Sequence, residues 1–116
     1  MGKNHVTAGA ILTNIAVSYN MINQFENSLE FLKRALAIQE KHLGENDSLT
    51  AITLTNLGCA YDGLHNHVKN KEVTERAYKI FLKIHGPKHQ NTVDALYNLQ
   101  LAEKKIFRQK AENNKK

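Results

Sequence analysis

Tryptophan is absent from these 116 residues, and proline and cysteine each occur once. A lone thiol, Cys59, rules out a disulfide framework within one chain and suits a reducing compartment, so the expected setting is cytoplasmic. No apolar run approaches the ~18–20 residues that cross a bilayer. The N-terminus lacks the apolar core of a secretory signal, and Val6 stands where a myristoylation motif needs Ser or Thr. Asn46-Asp47-Ser48 spells a glycosylation sequon, but without a secretion signal it reads as helix-start chemistry. No strand signal is present, so no Gly-rich phosphate loop follows a strand. No cysteine pair offers a zinc site, and His65-x-His67 lies in a turn where a metal would need ligands from elsewhere. No histidine is spaced to activate Cys59. These absences point away from an enzyme, a metal site and a cofactor.

What is present leans helical: Ala, Leu, Lys, Glu and Asn are abundant, with 41% hydrophobic and 23% charged residues. The net charge of +5 is uneven: residues 1–50 carry four Lys/Arg and five Asp/Glu, and residues 51–116 carry twelve and six. A basic second half favours acidic partners. Its cations are interleaved with Glu and its aromatics are few, so nucleic-acid binding is disfavoured.

The chain repeats itself at an offset of 42. Leu12-Thr13-Asn14-Ile15 falls on Leu54-Thr55-Asn56-Leu57 and then on Leu96-Tyr97-Asn98-Leu99, and Tyr19 falls on Tyr61. Glu30, Arg34, Ala35, Ile38 and Lys41 fall on Glu72, Arg76, Ala77, Ile80 and Lys83. Eleven of the 42 positions in residues 2–43 are identical in 44–85. Helical periodicity alone aligns apolar positions; it does not preserve Thr-Asn, Tyr and Arg-Ala at one offset.

Each unit reads as two helices, from apolar spacing of i, i+3, i+4, i+7. The spacing predicts helices over 7–21, 24–42, 49–64, 68–85 and 90–112, with a polar tail over 111–116. Gly44 caps the second helix, Asp47-Ser48 opens the third, Gly86-Pro87 stops the fourth, and Asn91 and Thr92 are cap candidates for the fifth. The opening stretch MGKNHVTAG reads as a connector like HLGENDSLTA and IHGPKHQNTV. The expected organisation is a single domain, 1–116: repeat 2–43, repeat 44–85, and a C-terminal capping helix 90–112.

The motif Leu-x-Asn-Leu/Ile-Gly/Ala-x-x-Tyr, seen at Leu12–Tyr19 and Leu54–Tyr61, is followed by Arg-Ala-x-x-Ile at Arg34 and Arg76. With the connector Gly86-Pro87-Lys88-His89, it resembles tetratricopeptide repeats (TPR) of the 42-residue kinesin light chain and nephrocystin type. The resemblance implies an all-α, right-handed solenoid of antiparallel helix hairpins, about five helices long. It implies a protein-interaction scaffold or adaptor whose concave face binds a short peptide or helix.

On that arrangement Asn14, Asn56 and Asn98 form a ladder along the concave wall, where an amide offers a donor and an acceptor to an extended peptide. Val17, Cys59 and Leu101 lie one turn on, followed by Asn20, Asp62, Lys104 and Lys105, the two lysines favouring acidic peptides. The backward-facing stripe Ile11, Ile15, Ser18, Ile22 is no more polar than its later copies, Thr53, Leu57, Ala60, Leu64 and Ala95, Leu99, Ala102, Ile106. The first helix thus expects a neighbour, and homo-oligomerisation through Ile11, Ile15 and Ile22 is the alternative reading, as a segment of a longer array. Lys104, Lys105, Arg108 and Lys110 make the last helix read as a finished, solvated end. His67, Asn70, Lys71 and Thr74 replace the apolar Phe25, Leu29 and Leu32 and the small Ser28, so the first turns of the fourth helix are expected to be loosely held, or to form a polar notch.

Overall fold

The computed structural model describes residues 2–115, with side chains from His5 onward. The chain folds into α1 (Gly2–Met21), α2 (Phe25–Leu43), α3 (Ser48–Gly63), α4 (His67–His85) and α5 (Gln90–Asn114), with no strand among the described residues. α1 packs on α2 and α3 on α4 as two hairpins, α2 against α3 joins them, and α5 lies on α4. The stack measures 55 × 32 × 21 Å, elongated because each hairpin meets only its neighbours.

The 42-residue period persists in backbone detail. Asn23 and His65 hold equivalent turn positions with φ of 62° and 59°. Behind them Gln24 N–H donates to Tyr19 O, and Asn66 N–H to Tyr61 O, each at 2.9 Å. Such a bond over a left-handed residue satisfies carbonyls left open at a helix end. Gly44 and Gly86 end the second helices with φ of 90° and 83°, where a side chain would be strained. Asp47 Oδ1 accepts from Leu49 N–H at 2.8 Å and starts α3.

Leu32, Leu54, Leu57, Tyr61, Ile80 and Phe81 form the core, with Ala16, Ala51, Ala60, Ala77 and Ala95 letting the helices approach. A full side chain of this size removed from water contributes about 1.5–3 kcal/mol. A polar thread crosses that core. Thr13 Oγ1 lies 2.9 Å from Gly9 O and 3.2 Å from Thr53 Oγ1, and Thr53 Oγ1 donates to Gln39 Oε1 at 2.6 Å. One chain of contacts therefore ties α1, α3 and α2 together.

Five expectations are corrected. The opening stretch is helical from Gly2, not a connector: Gly44 and Gly86 take positive φ at the ends of α2 and α4, whereas Gly2, at the equivalent place in the repeat, lies within α1. The stretch from 111 to 114 is helical rather than a tail; Met1 and Lys116 lie outside the described residues. The α5 cap is His89, whose Nδ1 accepts from Asn91 N–H at 3.1 Å, while Thr92 is buried. The first turns of α4 are packed: His67, Asn70 and Thr74 are buried, and Thr74 Oγ1 donates to Asn70 Oδ1 at 2.8 Å. Finally, α5 is not an evenly solvated end. Val93, Tyr97 and Phe107 are exposed on one stripe of the helix.

Candidate functional site

The wall made by the first helices is where the candidate residues fall, and α3 carries its middle. Between α3 and α5 lies a cavity of about 360 Å³, lined by Thr55, Asn56, Gly58, Cys59, Asp62, Asn98 and Leu101, with Asn70 and Thr74 of α4 at its back. The structure thus brings together Asn56, Cys59, Asp62, Asn98 and Leu101, which share a face because helical spacing places 56, 59 and 62, and 98 and 101, on adjacent turns. Asn14 and Val17 lie on α1, Asn14 exposed and Val17 half-buried, and neither lines this cavity.

Two expected contacts are engaged by the fold itself. Asn20 Nδ2 donates to Asn56 O at 3.3 Å, tying α1 to α3. Lys105 Nζ lies 2.7 Å from Asp62 Oδ1, tying α5 to α3, and Lys104 stays exposed. Asn20 and Asp62 hold the same place in the repeat, so one position braces successive first helices with an amide in one unit and an ion pair in the next. The amide Nδ2 of Asn56 donates to Ile52 O of its own helix at 3.2 Å, leaving Oδ1 free. His67 Nδ1 approaches Asp62 Oδ1 to 3.5 Å but is buried without a hydrogen-bond partner. A second cavity of about 490 Å³ opens beyond Asp62, bounded by His65, His67, Lys105, Arg108 and Glu112.

Cys59 is exposed as a residue, yet partial burial pushes its thiol above the ordinary value and the Asp62 carboxylate adds to the rise. A raised thiol is mostly protonated at neutral pH and is a weak nucleophile. No group of three or more His, Cys, Asp or Glu side chains is arranged to hold a metal among the described residues. No described helix is long and apolar enough to cross a membrane.

The backward stripe behaves differently along the stack. Leu57 and Leu99 are 2% and 9% exposed against the preceding helices, whereas Ile11, Ile15 and Ile22 are 53%, 38% and 62% exposed. Sequence reasoning missed Gly58 as part of the cavity floor, the Thr13–Thr53–Gln39 thread and the Asp62–Lys105 pair. The departure at Asn70 and Thr74 was the visible signal for the floor; nothing local signals a pair 43 residues apart.

Two comparisons bear on these observations. The chain is 33% identical over 91 residues to a clustered mitochondria protein homolog of Candida albicans (strain SC5314 / ATCC MYA-2876), covering 78% of this chain. It spans only 7% of that protein's length. The tetratricopeptide repeat family model matches residues 7–69, more than half of the chain, from α1 into the first turn of α4. With paired helices recurring every 42 residues and no strand among those described, this chain belongs to the tetratricopeptide repeat family, whose repeats serve as protein-interaction scaffolds.

Proposed function

We propose that the wall formed by α1, α3 and α5 binds a short extended peptide or helix of a partner protein, without catalysis, as in an adaptor of the kinesin light chain-like type. The observation that carries this reading is the cavity between α3 and α5, which gathers Asn56 and Asn98 around one recess. Asn14, exposed on α1, extends the row toward the other end. Amide side chains satisfy a peptide's main chain whatever its side chains are. Lys104 is the cation left to orient an acidic peptide, since Lys105 is held by Asp62. The lone thiol fits a cytoplasmic setting.

The test is affinity capture from cytosolic extract with the wild type and the Asn14→Ala, Asn56→Ala, Asn98→Ala triple variant, both checked by circular dichroism. Partners lost only with the variant are expected. Identical partner sets would remove the ladder from the account.

A second reading has its own observation, the exposure of Ile11 and Ile15 where their later copies Thr53, Leu57, Ala95 and Leu99 are buried, with Ile22 exposed beside them. On it, α1 drives self-association and the wall is incidental. Ile15→Glu then converts an associating species to monomer in sedimentation, while the first reading expects peptide capture to survive that change.

A further inference from the structure

Asn70 and Thr74 are 7% and 3% exposed, and both stand behind a glycine. A Cβ built on Gly58 would lie 2.7 Å from Thr74 Oγ1 and 2.8 Å from Asn70 Oδ1, so any side chain there would displace the pair. The first unit fills the same three places with Ala16, Ser28 and Leu32, all fully buried. The second unit has instead exchanged a close-packed apolar contact for a polar floor under the cavity of about 360 Å³.

The charges around that cavity exclude ions. No Lys, Arg or His lines it, and its one carboxylate, Asp62, is paired with Lys105 at 2.7 Å. An anion would find no cation in the lining to pair with, since Lys105 is already held by Asp62, and a cation would have to displace Lys105. A neutral group is left.

The hydrogen-bonding functions then narrow the chemistry. Thr55 Oγ1 spends its proton on Ala51 O at 2.9 Å. Asn56 Nδ2 gives one of its two protons to Ile52 O, which leaves Oδ1 as an acceptor beside one remaining N–H. Asn70 Oδ1 takes the Thr74 hydroxyl, which leaves Nδ2 as a donor. Asn98, exposed at the rim, has both functions open. A group that presents one carbonyl and one NH₂ matches a free donor and a free acceptor together. A hydrocarbon leaves both unpaired, and sites built this way reject such analogues, while a hydroxyl must serve both from a single oxygen.

We infer that this cavity selects a primary carboxamide, the side chain of Gln or Asn in a bound peptide. The inference rests on the proposed wall and adds to it the one side chain that the wall reads.

Two measurements separate the inference from the wall itself. In the first, N-acetyl-glutamine-N-methylamide is titrated into labelled protein, with the glutamate and norleucine analogues alongside. The glutamine compound is expected to move the side-chain amide signals of Asn56 and Asn70, binding about tenfold tighter than either analogue. Gly58→Ala, or Thr74→Leu should the first variant not fold, closes the floor and abolishes the shifts. Equal response to all three compounds, or none, overturns the inference. In the second, a random extended-peptide library is selected on the wild type. Enrichment of Gln or Asn at one position, lost with Thr74→Leu, supports it. Peptides enriched without such a position, yet blocked by Asn56→Ala, overturn the carboxamide and keep the wall. Selection of no peptide overturns both.

Discussion

Lys105 Nζ lies 2.7 Å from Asp62 Oδ1, and this pair joins the C-terminal turns of α3 to the middle of α5. It takes the place that Asn20 fills one unit earlier by donating to Asn56 O. Both charged side chains keep about a third of their surface in water, 29% for Lys105 and 39% for Asp62. A double-mutant cycle of Asp62→Asn and Lys105→Met, followed by urea unfolding, is therefore expected to give a coupling of only about 0.2–1 kcal/mol. The coupling should shrink with added salt. A coupling that ignores salt would show that the pair is more desolvated than its exposure indicates.

Gly63 supports the Phe25 ring, and a Cβ at Gly63 would run into that ring. Gly63→Ala is expected to cost about 1–3 kcal/mol by overpacking. Phe25→Leu in the same chain should return part of the loss, because the two changes share one contact. Thermal unfolding of the single and double variants checks this.

Thr53 is fully buried, and its hydroxyl serves Gln39 Oε1 at 2.6 Å. Thr53→Val keeps the shape and strands the Gln39 carbonyl, an expected loss of about 1–3 kcal/mol. Adding Gln39→Leu to Thr53→Val removes the stranded acceptor and should cost less than the sum of the single changes.

His5 and His42 stack at 4.2 Å with their rings 9° from parallel. Loss of hydration is the first cause that lowers the His42 pKa from 6.5, and the His5 and Lys41 charges add to it. A lowered pKa means that the unfolded chain takes up the proton first. The contribution is thus present above the unfolded value and lost as pH falls through it and on through the folded value. Unfolding midpoints should fall on acidification below about 6.5, and His42→Gln should flatten that part of the pH profile.

The raised Cys59 thiol makes a kinetic prediction. At neutral pH the folded protein should react with iodoacetamide more slowly than the urea-unfolded chain, although the residue is exposed. Asp62→Asn, which removes the second cause, should quicken the reaction.

The helices were legible because each carries a local signal: period 3.6 in the apolar residues, a glycine at each second-helix end, Asp47 before α3. The candidate wall was half legible. Asn56 and Asn98 do meet across one cavity, because a preserved period preserves the face on which a residue stands. Lys105 and Asn20, expected along the same wall, are engaged by Asp62 and Asn56 O. Their side chains are long or flexible enough to reach the next helix, and which helix that is depends on packing.

Sequence alone determined the repeat, its 42-residue period and the all-helical class, since these follow from neighbours within a few turns of each other. Only the tertiary structure decided that Asn70 and Thr74 are a buried floor rather than a frayed turn. It also decided that Asp62 is neutralised by Lys105, and that α1 and α5 each leave an apolar stripe in water. Those outcomes turn on side chains brought together from different helices, and local propensity carries no information about which partners will meet.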